Sequence, residues 1–160
     1  MATSRLQITR ASVKENLILA NLMNHYVYDL AEWFDISSDL NGFYSYDVDG
    51  IWTDRFHVYL ARLDSVPVGF ALIEQIGDLH DLKEFFIARR YRRARFGQDL
   101  VEYVCNTHPG TWQVRVFCGN LPAVPFWNRA VSDYTKDRYT KTELRLDDKP
   151  WTHYHFQNHP

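Results

Sequence analysis

Glu84-Phe85-Phe86-Ile87-Ala88-Arg89-Arg90-Tyr91-Arg92-Arg93-Ala94-Arg95-Phe96-Gly97-Gln98-Asp99-Leu100-Val101 is the stretch whose reading decides the fold. Phe85, Phe86 and Ile87 are a short apolar run with strong β preference. Arginine then fills five of the seven positions from 89 to 95. From Phe96 the apolar residues fall at Phe96, Leu100, Val101, Val104 and Cys105, the spacing of one helix face. The stretch therefore reads as a strand, a tight basic turn and a helix. A helix start carries four backbone N–H groups without partners and the positive end of its dipole. Gly97, with no Cβ, would let ligand oxygens come close there. Flanking arginines would add charge-assisted hydrogen bonds. These features together predict a site for a phosphorylated ligand, with pyrophosphate on the helix N-terminus.

Working outward, residues 6–10 read as a first strand. Ser12-Val13-Lys14-Glu15 is a capping box, with Ser12 at N-cap and Glu15 at N3. Val13, Leu17, Ile18, Met23, Tyr26, Val27, Leu30 and Ala31 give the helix that follows a broad apolar face, and the pattern continues or restarts through Phe34. Residues 35–50 read as loop, with Ser37-Ser38-Asp39 and Asn41-Gly42 as turn signals. Phe43, Tyr44 and Tyr46 make that loop either a cover packed on the body or the lining of a pocket. Residues 57–63 and 68–76 are predicted strands joined by a turn at Asp64-Ser65-Val66-Pro67. After Gly77-Asp78, residues 80–87 form the strand that enters the arginine turn.

The helix from Phe96 is predicted to reach about Asn106 and to stop at His108-Pro109-Gly110. Residues 112–118 are a strand with Trp112, Val114, Val116 and Cys118 on one face. Pro125 cannot donate a backbone hydrogen bond, so the next helix should begin near residues 122–124, with Asn120 just before it. Residues 138–146 and 151–158 read as two last strands. The order is that of a mixed α/β (α+β) fold, expected as one domain over 1–160.

A chain of 160 residues is large enough for a real core, and 46% hydrophobic residues is ordinary for a folded protein. An aromatic share of 16% points to a core or cleft rich in rings. The formal net charge of −2 gives no global electrostatic case for nucleic acid, so the arginine cluster is a local positive spot. No apolar run approaches the roughly 20 residues of a membrane-spanning helix. Met1-Ala2-Thr3-Ser4-Arg5 lacks the apolar stretch of a signal peptide. A cytoplasmic protein with Cys105 and Cys118 as reduced thiols is expected.

Arg92, Arg95 and Gly97 stand where motif A of the GNAT acetyltransferase superfamily has Gln/Arg-x-x-Gly-x-Gly/Ala after a strand, with Arg95 in place of the first glycine. Asn120-Leu121-Pro122-Ala123-Val124-Pro125-Phe126-Trp127 resembles the superfamily's Asn-x-x-Ala-x-x-(apolar)-Tyr helix, with Trp127 where tyrosine is usual. The two motifs in this order, with a strand between them, extend the resemblance over nearly the whole chain. Asn21-Leu22, Tyr28-Asp29-Leu30 and Glu84-Phe85-Phe86 are similar to a bacterial subgroup of predicted acetyltransferases. The resemblance implies a GNAT fold, a mixed and mostly antiparallel sheet with flanking helices. Two central parallel strands, here those ending near Ile87 and Cys118, splay apart to admit an acyl-CoA.

It also implies transfer of an acetyl group from acetyl-CoA to a primary amine by direct attack. The backbone through Arg93, Ala94, Arg95, Phe96, Gly97 and Gln98 would hold the pyrophosphate, with Arg92 beside it. Phe86 and Ile87 would meet the pantetheine arm by strand-like hydrogen bonding. Asn120 would touch that arm from the other side, and Phe126 and Trp127 would wall the cofactor. A carboxylate near the strand that ends at Ile87 often serves as base in the superfamily; Asp81 and Glu84 are the candidates, with His80 next to them. Indole cannot give up a proton at neutral pH, so Tyr134 either stands in as the acid or is an ordinary core tyrosine.

Tyr26, Tyr28, Asp29, Glu32, Trp33 and Phe34 occupy the region that covers the acceptor in relatives, where acids among rings suit a cationic amine. His153 and His155 share a strand face, yet no carboxylate or cysteine at useful spacing completes a metal site, and no metal is expected. Arg95 and Trp127 also admit a second reading, an acyl-CoA binding or sensing module with little catalysis. A nucleic-acid binder acting through the arginine turn is a third. On the first reading the partners are acetyl-CoA and a small-molecule or peptide amine, with no nucleic acid and no membrane; the family likeness allows a homodimer.

Overall fold

Residues with left-handed backbone build the tight turns of the sheet. Asp64 (φ 49°) and Ser65 (φ 71°) join β2 (Phe56–Leu63) to β3 (Val66–Ile76). Asp147 (φ 50°) and Asp148 (φ 58°) join β6 (Thr140–Leu146) to β7 (Lys149–Asn158) in the same way. Two-residue loops with positive φ match the twist of the strands they connect. The predicted turn at 64–67 is thus shorter by two residues. Pro67 lies inside β3, at the irregularity between Ala61 and Arg62 of β2, where a missing N–H is tolerated.

The computed structural model describes residues 5–159. With β1 (Leu6–Arg10), β4 (Leu79–Ile87) and β5 (Gly110–Phe117), the strands form one seven-stranded sheet in the order β1-β2-β3-β4-β5-β7-β6. Every neighbouring pair is antiparallel except β4–β5. The helices are α1 (Asn16–Leu30), α2 (Phe96–Thr107) and α3 (Ala123–Thr135). This is the mixed α/β architecture expected from the sequence.

Each face of the sheet carries its own core. Leu100, Val101, Val104 and Cys105 of α2 and Ala130 and Val131 of α3 pack on Ala71, Ile73, Leu82, Val114 and Val116. On the other face Leu19, Leu22 and Met23 of α1 pack on Val58, Leu60, Phe70, Leu72 and Phe86. Each Val, Leu, Ile, Phe or Met among them contributes about 1.5–3 kcal/mol when fully buried.

Val13 and Leu17, expected on the apolar face of α1, are instead 62% and 72% exposed. At about 100° per residue Leu17 lies on the far side of the helix from the Leu19–Leu22–Met23–Tyr26 stripe. The capping box is present, with the Glu15 carboxylate accepting from the Ser12 N–H at 3.2 Å; it opens a short 3-10 turn that leads into α1. After Leu30 the chain forms turns rather than a second helical piece. Pro125 sits in the first turn of α3, as its missing N–H requires.

β4 carries a bulge that decides what its end can do. Leu72 pairs with Glu84 but Ile73 pairs with Leu82, so Lys83 is an extra residue. A bulge re-aims the side chains that follow it. Leu82, Phe85 and Ile87 therefore face α2 and α3, and Phe86 joins the α1 core. Glu84 shares the α1 face with it. Among the described residues no helix is long and apolar enough to cross a membrane.

Candidate active site

β4 and β5 pair only from Leu79↔Thr111 to Leu82↔Val114. Beyond that point β4 stays with β3 as far as Ile87↔Gly69, and β5 stays with β7 as far as Phe117↔Trp151. The two strands are drawn apart, each by its outer partner. The edge of β4 that faces β5 over residues 83–87 thus offers backbone N–H and C=O groups to something other than a strand.

The arginine turn closes the top of this opening. Arg93 (φ 69°) and Arg95 (φ 65°) are left-handed, and Arg95 is the residue just before α2. Arg95 thus holds a conformation that glycine adopts freely and that costs other residues about 1–2 kcal/mol. Its side chain turns back along α2, to Asp99 at 3.2 Å and Glu102 at 3.0 Å. Arg92 donates from Nε to the Ile87 carbonyl at 2.7 Å and pairs with Asp29, which also binds Arg89 at 2.6 Å. Arg89 and Arg92 therefore brace the turn against the end of α1. Among the described residues neither Arg90 nor Arg93 is paired with a carboxylate. Helix geometry leaves the N–H groups of Phe96, Gly97 and Gln98 without helical acceptors. The turn thus presents backbone donors and exposed positive charge together, which suits a phosphate.

Gly97 is also short of space on the side of α3: a Cβ there would lie 2.9 Å from the Phe126 ring. The missing Cβ makes room for Phe126, which stacks on Phe85 at 5.8 Å between ring centres. Phe126 is half-buried, whereas Trp127 is 7% exposed and belongs to the core. Trp127 meets the cleft through Phe85, which it packs against edge-on at 5.0 Å. Gln98 turns its amide inward to Glu102 and the Ala130 carbonyl, so only its backbone faces the turn. Ala94 is exposed and Phe96 half-buried. Asn120 precedes α3, and its Oδ1 accepts from the Ala123 N–H at 3.3 Å.

Glu84 is the carboxylate that the fold brings to the root of the opening. It accepts hydrogen bonds from the hydroxyl of Tyr26 on α1 and, at 3.3 Å, from that of Tyr46 in the loop after α1. Burial raises its pKa above the usual carboxylate range, and the Tyr26 and then the Tyr46 hydrogen bond pull it part of the way back. Burial, and then the Glu84 charge, push both tyrosine hydroxyls up, so they stay protonated as donors. The loop packs on the body as a cover and, through Tyr46, also lines the Glu84 site. Asp39 folds it by accepting the N–H groups of Asn41 and Phe43, Asn24 takes the Tyr44 N–H at 2.6 Å, and Phe34 packs on Phe117 at 5.1 Å.

The other predicted acid–base groups lie elsewhere. Asp81 is fully buried in the paired half of β4–β5, bound to Arg115 at 2.6 Å and to the Gln113 amide at 3.1 Å. Tyr134 is near the C-terminal end of α3, where its hydroxyl donates to Asn106 at 2.9 Å and accepts from Asn158 at 2.9 Å. It is not brought to the cleft, because α3 starts at the open end of β5 and runs back toward the paired end. His80 also belongs to the paired end, with its ring 5.1 Å from Trp112. Asp29 is held by two arginines and is not free for a cationic acceptor. The His153 and His155 rings lie 6.1 Å apart, and among the described residues no group of three or more His, Cys, Asp or Glu could hold a metal.

Sequence reasoning named Tyr46 as a cover or pocket residue and His153 as a strand-face histidine, and missed Arg115. For Arg115 a signal existed: Trp112, Val114 and Val116 alternate into one core, which sends Gln113 and Arg115 to the other face.

A sheet whose central parallel pair splays beside a basic helix start, with a buried carboxylate at the parting, is the arrangement that the resemblance to the GNAT superfamily implies. The model of the acetyltransferase (GNAT) family matches residues 23–131, and the chain belongs to that family. Among solved structures, the fold is shared with the ribosomal-protein-S18-alanine N-acetyltransferase from Escherichia coli at a TM-score of 0.69, with 11% identity over 96% of this chain and 94% of that one. It is also shared with the PaiA N-acetyltransferase from Thermoplasma acidophilum, in complex with coenzyme A, at 0.64, with 10% identity over 96% and 99% of the two chains. A point mutant of the spermidine N-acetyltransferase from Vibrio cholerae matches at 0.65, with 11% identity over 95% and 93%. A search of curated proteins finds no match to the sequence.

Proposed function

We propose that the protein transfers an acetyl group from acetyl-CoA to a primary amine, with Glu84 as the base. The observation that carries this is the position of Glu84: buried, raised in pKa, held by two tyrosines and two residues past the last β4–β5 pair. The pyrophosphate would lie on the backbone of residues 93–98, with Arg93 supplying charge. The pantetheine arm would run along the open edge of β4 at Phe86 and Ile87, facing Asn120 and Phe126. A β4 N–H would hold the carbonyl oxygen as negative charge grows on it. The amine nitrogen attacks the thioester carbon and its proton passes to Glu84, directly or through water. The C–S bond then breaks, and the thiolate takes a proton from solvent. A carboxyl with raised pKa is a stronger base for that amine proton.

A second reading, an acyl-CoA binding module with little turnover, draws on the places of Trp127 and Tyr134, since neither sets a hydroxyl in the cleft. Thiol release from acetyl-CoA over a panel of amines separates the two. On the first reading Glu84→Gln lowers kcat by about 10²–10⁴-fold and leaves acetyl-CoA affinity unchanged. Wild-type turnover in Glu84→Gln would remove the base assignment. Binding of acetyl-CoA without thiol release from any amine would favour the module.

A further inference from the structure

Resting on the acetyl-transfer reading, we propose that the acceptor amine also carries a carboxylate, which Arg115 and His153 hold across the cleft from Glu84. Arg115 stands one residue beyond the last β4–β5 pair, Leu82↔Val114, on the sheet face that Glu84 shares. Its guanidinium is pinned by Asp81, which is fully buried and is itself held by the Gln113 amide. Even so, 37% of the Arg115 side chain stays open. A guanidinium has five N–H donors in a rigid fork, and Asp81 engages it at a single nitrogen. The remaining donors match the geometry of a carboxylate. A head group already fixed in place loses little freedom when it binds.

His153 is the direct cross-strand partner of Arg115 on β7 and is 8% exposed. Its Nε2 is buried and has no hydrogen-bond partner among the described residues. Buried polar atoms are nearly always paired. An unclaimed one beside an open guanidinium is what an incoming oxygen would satisfy. Of the two acids that could favour a purely cationic acceptor, Asp29 is bridged by Arg89 and Arg92, and Glu32 is exposed on the surface.

The test is thiol release from acetyl-CoA with matched pairs of acceptors, each a carboxylate-bearing amine and its primary amide. Free α-amino acids form one arm. Peptides beginning with aspartate, paired with asparagine, form the other and separate a free acid from a side-chain carboxylate. The wild-type protein should favour the carboxylate in at least one arm by about tenfold or more in kcat/KM. Arg115→Lys keeps a cation on Asp81 but loses the fork. It should raise KM for that carboxylate by about tenfold or more and so narrow the preference for it over its amide. Amides used as well as the acids throughout, or no carboxylate-bearing amine acetylated, would overturn the proposal. If Arg115→Lys does not fold, the wild-type pairs alone decide. Calorimetric titration with acetyl-CoA tells the two failures apart. Absent binding sinks the donor reading as well, whereas tight binding with turnover blind to the carboxylate sinks only this inference.

Discussion

The two halves of the β4–β5 pair have been put to opposite uses. Over Leu79–Leu82 the strands are bonded, and the side chains around them form a closed polar and aromatic cluster. The His57 and His108 rings stack at 4.6 Å, His108 bonds Tyr59 at 2.8 Å, and Arg10 donates to His57 at 2.7 Å. Burial, then His57, His80 and Arg10, push the His108 pKa down to about 4. His57 and His108, both lowered in pKa by burial, are packing groups. From residue 83 onward the strands part, backbone groups lose their strand partner on one side, and a carboxylate is raised in pKa rather than paired with a cation. Apart from the unpartnered His80 Nδ1, one half spends its polar groups on itself; the other leaves backbone groups available. Perturbed titration alone does not mark a site, since it occurs in both halves. Open backbone beside it does.

Five variants sharpen that contrast. Gly97→Val should act most strongly, because its side chain meets the Phe126 ring that lines the open half. Overpacking of this kind costs about 1–3 kcal/mol. Acetyl-CoA affinity should also fall by about tenfold, or 1.4 kcal/mol. Thermal unfolding without ligand, followed by calorimetric titration, reads both. A stable variant with weakened binding would mean that the Cβ meets ligand rather than Phe126.

Tyr26→Phe comes next. It removes the larger of two hydrogen bonds that lower the Glu84 pKa. The acid limb of kcat/KM against pH should therefore move to higher pH, and further than in Tyr46→Phe. A limb that stays fixed in both variants would detach Glu84 from the rate.

His108→Gln should show the opposite kind of effect, in stability and not in rate. A histidine with folded pKa near 4 takes its proton first in the unfolded chain, whose pKa is about 6.5. Its contribution is complete above about pH 6.5 and is lost as pH falls toward 4. The melting temperature of the wild type should drop over that window, the drop should be shallower in His108→Gln, and the pH–rate profile should be unchanged.

The smallest effect belongs to Arg95→Gly. Relief of left-handed strain, about 1–2 kcal/mol, is offset by the added freedom of glycine when unfolded, about 0.4–1 kcal/mol, and by two exposed ion pairs. The net change in unfolding free energy should lie within about 0.5 kcal/mol, with acetyl-CoA affinity held.

What was legible in the sequence followed from local chemistry. Apolar spacing from Phe96, the Asn120 and Pro125 constraint, and the turn residues placed the strands and helices within a few positions. The basic turn and the splay came with the two motifs. What was not legible depended on contacts between distant segments. Nothing local marks Lys83 as a bulged residue, yet the bulge sends Glu84 toward Tyr26 and Tyr46. Glu84 and Asp81 look equivalent along the chain; only the partners that each meets tell them apart. That Gly97 also makes room for Phe126 was not legible locally, because Phe126 is 29 residues further on. Tyr134 was judged by its distance along the chain from Trp127, whereas α3 carries it away from the cleft toward Asn106.

Amide hydrogen exchange with and without acetyl-CoA tests the division of β4 most directly. The account predicts added protection at residues 84–87 on the open edge of β4 and at residues 93–98 in the turn. It predicts none at Leu79–Leu82, whose amides already belong to the paired half. Protection spread evenly along β4, or confined to the paired end, would contradict it.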